Sequence, residues 1–265
     1  VKDHACEIAA AENDPVLSQT AAAGVDACDH GWEFGPNYSH GPDDNAAGTR
    51  LYVGTQTDVP MLRILDMTAN PPRVVSKLPE SPGHSMDWFR TADGGEFLLH
   101  ANEFDTGDTC TQHPRSSSLG WAYEAFLTDI SDETAPARAS MLELAINKPE
   151  NCAARQASGH NPWIAYHSVD TPYGASFAMV SFGTAGLRVF DIRDPYAPKE
   201  VAYFNRGALA HAGVSHYDAA RGLILVPGDG LRVLEIQPQV FDALGLRRPT
   251  DPAYPRYQYG RVARP

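Results

Sequence analysis

The sequence is short of positive charge. Lysine and arginine number 21 against 33 aspartates and glutamates, for a formal net charge of -12. Neutralising phosphates needs clustered Lys and Arg, so recognition of nucleic acid by a basic face is excluded. Long apolar runs are also missing, and none approaches the roughly 18 residues of a membrane helix. There is no G-x-S-x-G elbow and no Gly-rich phosphate loop, so acyl transfer and P-loop chemistry lack their motifs. None of the four cysteines stands in a C-x-x-C pair, which removes the zinc ribbon and the thioredoxin motif.

What the chain does have is turn-formers. Among 265 residues are 22 glycines and 21 prolines. Both disfavour long helices and favour many short strands joined by turns. Four segments look alike: 62–72, 126–136, 187–198 and 231–238. Each opens as an alternating, β-branched or aromatic strand and reaches an acid, namely Asp66, Asp129, Asp191 or Glu235. A proline-containing stretch follows. An Asp side chain caps such a turn and Pro fixes φ, so the chain reverses.

A further strand follows the first three turns, at 74–78, 139–144 and 201–204. Another precedes each signature, at 51–55, 97–101, 177–181 and 223–226. Before that comes one more, led by His30, His84, His160 or His211, which stand 54, 76 and 51 residues apart. A repeated four-stranded antiparallel meander of about 50 residues is the signature of an all-β β-propeller with at least four blades visible. An immunoglobulin-like sandwich would not repeat its turn chemistry.

Residues 1–246 read as blades and residues 247–265 as a tail rich in Pro, Tyr and Arg. The last unit lacks an outer strand, and 240–246 reads as a short helical turn. The segment 16–20 resembles the closing strand of a blade begun earlier. The chain is therefore expected to start in mid-blade and to form an open arc of a larger ring, completed by a missing N-terminal propeller segment; closure through 16–20 is the alternative. Two insertions, 104–122 and 146–158, break the period.

The run Gly186-Leu-Arg-Val-Phe-Asp-Ile-Arg-Asp-Pro-Tyr-Ala-Pro198 resembles the repeat of the LVIVD β-propeller family, in particular its secreted actinobacterial members. Asp129–Pro136 matches well, Leu62–Pro72 loosely, and Leu231–Pro238 lacks the Asp-Pro. The resemblance spans about residues 16–237 and implies the fold; it implies little about activity. A more distant likeness is to the selenium-binding protein and methanethiol oxidase propellers, which hold a metal with channel histidines.

If the first strand of each blade lines the channel, His30, His84, His160 and His211 would ring it. Converging imidazoles suit Cu or Zn. The competing reading is structural: an imidazole satisfied by Ser85, Asp87, Ser158 or backbone needs no metal. His100, His167 and His216 form a weaker second set. His100, Glu103, Asp105 and Asp108 make the densest polar cluster, with oxygen ligands for Ca²⁺ or a solvated acidic turn as its two readings. Four cysteines allow three connectivities, of which Cys6–Cys28 with Cys110–Cys152 is favoured. Disulfides would place the protein outside the cell or in the envelope. The expected function is an extracellular propeller whose channel metal serves a redox or hydrolytic reaction. The alternative is a non-catalytic scaffold that binds a protein or carbohydrate partner through its loops.

Overall fold

The computed structural model describes residues 41–54, 61–79, 83–101, 125–142, 144, 164–182, 186–205, 214–228 and 230–246. The cysteines, both insertions, segment 16–20 and the tail lie outside them.

The described chain folds into four antiparallel sheets in sequence order. Blade 1 is β1 (Asp43–Asp44), β2 (Arg50–Gly54), β3 (Met61–Asp66) and β4 (Arg73–Pro79). Blade 2 is β5 (Met86–Arg90), β6 (Glu96–Ala101), β7 (Ala125–Asp129) and β8 (Ala137–Leu142). Blade 3 is β9 (Ile164–Val169), β10 (Phe177–Phe182), β11 (Leu187–Asp191) and β12 (Lys199–Phe204). Among the described residues blade 4 has three strands, β13 (His216–Asp218), β14 (Leu223–Gly228) and β15 (Gly230–Glu235). A helix, α1 (Pro238–Leu244), stands where a fourth strand would begin, with Pro in its first turn and left-handed Gly245 closing it.

Turn chemistry recurs as the sequence implies. Asp66 Oδ1 accepts the Thr68 amide at 3.0 Å, Asp129 Oδ1 that of Ser131 at 2.8 Å, and Asp191 Oδ1 that of Arg193 at 3.0 Å. The third and fourth strands of blades 1 to 3 carry a register shift at one equivalent place: Ile64/Leu65, Leu127/Thr128 and Val189/Phe190. A repeated bulge of this kind bends the outer hairpin in the same way each time. Gly186 opens the third signature at φ 79°, and a Cβ there would run into the Phe204 carbonyl. That position demands glycine on two grounds.

The apolar core is three slabs, one between each pair of successive blades. Tyr52, Leu62 and Ile64 meet Met86, Trp88, Leu98 and Ile130 between blades 1 and 2. Phe89, Leu99 and Leu127 meet Val180, Phe182 and Ile192 between blades 2 and 3. Phe177, Met179 and Val189 meet Tyr217, Ile224, Val226 and the α1 residues Phe241 and Leu244 beyond blade 3. A blade by itself has nothing to bury its apolar faces against, so stacking supplies the stability. The first strands face one another: β5 contacts both β1 and β9, and parallel bridges join Gly41 to Ser85 and Arg90 to Tyr173.

Candidate functional site

Strand pairing fixes which residues are equivalent. Asp43 lies opposite Tyr52, Asp87 opposite Leu99, Ser168 opposite Met179 and His216 opposite Leu225. Counted from the acid that ends each signature strand, these four occupy the same place on the first strand of blades 1 to 4. In the first three blades this residue bonds to the next blade. Asp43 Oδ2 accepts the Trp88 amide at 2.6 Å. Asp87 Oδ2 makes a short bond with Nδ1 of His167. Ser168 Oγ donates to the Ser215 carbonyl at 2.6 Å.

The middle tie is the richest in chemistry. The His167 side chain is 0% exposed and that of Asp87 27%. Nε2 of His167 lies 2.9 Å from Ser85 Oγ and 3.1 Å from the Ser85 carbonyl. With Nδ1–H donating to the carboxylate, Nε2 accepts the Ser85 hydroxyl, the connectivity of a Ser-His-Asp triad. A nucleophile also needs hydrogen-bond donors, from backbone or side chain, for the developing oxyanion. Three amides near Ser85 are committed: His84 N–H to the Ala101 carbonyl at 2.8 Å, Met86 N–H to the Gly41 carbonyl at 2.9 Å, and Trp88 N–H to Asp43. This constellation joins blades 2 and 3. Nearby, burial raises the Asp43 pKa, the Trp88 amide opposes that, and the Asp87 charge adds to the rise.

An outer stitch repeats as well. Ser76 Oγ on β4 donates to the Glu133 carbonyl at 2.5 Å, and Ser140 Oγ on β8 to the Pro195 carbonyl at 2.6 Å. The two serines are equivalent by register, and both acceptors stand four residues after the turn aspartate of the next blade. On β12 the same place holds Ala202, opposite Val189.

Of the ring expected from the leading histidines, His84 is described and His30, His160 and His211 lie outside the described residues. His84 is buried, 1% exposed, with its ring edge-on to Tyr166 at 5.9 Å. The Ser85 and Asp87 side chains, expected to serve His84, serve His167 across a seam instead. His100 is buried within blade 2, its Nε2 2.8 Å from Thr128 Oγ1 and its ring stacked on Phe126; Glu103, Asp105 and Asp108 lie outside the described residues. His216 is exposed on β13. Among the described residues no group of three or more His, Cys, Asp or Glu is arranged to hold a cation. No described helix is long and apolar enough to cross a membrane.

No protein-family model and no curated protein matches the chain. Solved structures do. The Cps50 (Swd1) β-propeller domain of Myceliophteria thermophila superposes with a TM-score of 0.51 at 12% identity, over 84% of this chain and 56% of that one. Sqt1 of Saccharomyces cerevisiae gives a TM-score of 0.48 at 9% identity, over 72% and 43%. The chain thus spans about half the length of the solved structures it matches. With the four sheets, the first likeness defines the class: this chain is a β-propeller.

Proposed function

We propose that the chain is a non-catalytic β-propeller scaffold that offers its loops and turns to a protein partner. One observation carries this reading: the polar residues of the first strands are bonded from blade to blade. The ties of Asp43, Asp87 and Ser168 rigidify a platform across the seams. Kinship with LVIVD-repeat propellers and an extracellular or envelope location belong to the proposal. The glycine demanded at 186 and the repeated aspartate turns support that kinship.

A second reading, copper or zinc held by the leading histidines, draws support from His84, buried just ahead of β5. Elemental analysis of the purified full chain separates the two. The scaffold reading expects no stoichiometric copper or zinc. Stoichiometric metal that is lost in His160→Ala and His84→Ala overturns it.

A further inference from the structure

Within an antiparallel meander, the turn joining the first and second strands and the turn joining the third and fourth emerge at the same end. In blades 2 and 3 these are residues 91–95, 130–136, 170–176 and 192–198. Two large side chains stand out from this end at the seam: Tyr173 at 54% and Tyr196 at 58% exposure.

Neither ring dangles. The Tyr173 turn is laced to blade 2 by Arg90 N–H to the Pro172 carbonyl at 2.9 Å, and by the amides of Gly174 and Ala175 to the Arg90 carbonyl at 2.8 and 3.1 Å. Its ring is edge-on to buried Trp88 at 5.6 Å. Tyr196 is edge-on to buried Phe97 at 5.9 Å, its amide donates to Asp194 Oδ1 at 3.1 Å, and its hydroxyl donates to Asp129 in a short bond. Arg90 and Glu96, at the adjoining ends of β5 and β6, pair with each other, and the Arg90 guanidinium lies over the Trp88 ring. Held tyrosines lose little conformational entropy on contact, which is why they serve as anchors in protein interfaces.

The charge around them is mainly negative. Asp93 is bonded by the Thr91 hydroxyl, Asp129 by Tyr196 and the Ser131 amide, Asp132 by the Thr134 amide and hydroxyl, and Asp194 by the Tyr196 amide. These bonds come from neutral donors. The nearby arginines are already engaged, Arg90 with Glu96 and Arg193 with Asp191, and Lys199 lines a cavity with Asp191 and Asp194. Asp129 and Asp194 thus hold Tyr196, and Asp93 and Asp132 stand in the two blade 2 turns at the same end.

We propose that this seam docks a protein segment bearing lysine or arginine side chains, the cations lying over the tyrosine faces and among the carboxylates. The inference rests on the scaffold reading and names the chemistry of its partner.

The test uses the full chain and two fluorescent probe peptides of equal length, one alternating lysine with glycine, the other glutamate with glycine. The lysine peptide binds and the glutamate peptide does not. Tyr173→Ala with Tyr196→Ala weakens binding about tenfold, as loss of anchor residues does, while the paired Phe variants keep most of it. Asp132→Asn with Asp194→Asn, which leaves the aromatic supports intact, also weakens it. Carbodiimide cross-linking of the bound lysine peptide maps to Asp93, Asp129, Asp132 and Asp194. Unchanged affinity in both the alanine and the asparagine pairs, or cross-links scattered over carboxylates elsewhere, overturns the proposal. Stoichiometric metal in the elemental analysis would sink the scaffold reading and leave these binding results standing, so the two failures are told apart.

Discussion

His167→Ala would leave the Asp87 carboxylate and the Ser85 hydroxyl without the ring that joins blades 2 and 3. Loss of a buried, charge-assisted hydrogen bond costs about 2 kcal/mol, and urea denaturation of the variant should show a fall of that order; a fall under about 0.5 kcal/mol, the scatter of surface changes, would deny the tie any stabilising role. Acid sensitivity belongs to the same scale. The Thr68 hydroxyl and amide, then Arg73 and Arg50, hold Asp66 at about 2 against an ordinary 3.8, despite some burial. A carboxyl depressed in the folded state stabilises it above the unfolded value, and that contribution disappears as pH falls from 3.8 through about 2. Asp66→Asn should therefore melt below wild type at pH 6, with the gap closing towards pH 2 in paired thermal scans.

Strands and hairpin turns were the legible elements. Period-two alternation marks β3, β7, β11 and β15, and the aspartate turns announce themselves because their bonds are local, two residues from acid to amide. The helical turn after β15 was equally readable, following Pro238. Ties between blades were not readable. Ser85 and His167 are 82 residues apart, and Ser140 and the Pro195 carbonyl 55; nothing local distinguishes those serines from surface ones. Equivalence of the leading histidines was inferred from their order, whereas strand pairing aligns Asp43, Asp87, Ser168 and His216. The outer stitch makes a clean element-scale prediction. Ser76→Ala and Ser140→Ala should each cost about 1 kcal/mol and sum in the double variant, because the sites share no partner. Ala202→Ser should gain nothing, as no aspartate turn follows β15 to accept its bond. Sub-additive losses in denaturant titrations would show that the two seams communicate.

For the whole molecule, location turns on cysteines that lie outside the described residues. An extracellular protein should yield linked Cys110 and Cys152 peptides in a non-reduced digest, and free thiols at both positions would remove the main support for that location. The arrangement of stitches has a mechanical consequence. The seams between blades 1 and 2 and between blades 2 and 3 each carry an inner and an outer bond. The seam after blade 3 keeps the inner Ser168 bond, and its outer bond passes to Arg193, which reaches the Ala243 carbonyl of α1 at 2.7 Å. Blade 4 is therefore clasped by a helix that buries Phe241 and Leu244 in the slab and takes a bond from the Arg193 guanidinium. Opening under heat or load should run in one direction, with β13 to β15 and α1 peeling away as a unit while blades 1 to 3 hold. Deuterium would enter the amides of β14 before those of β6 and β10, and the stack would fray from its C-terminal side like a rope with one whipped end undone.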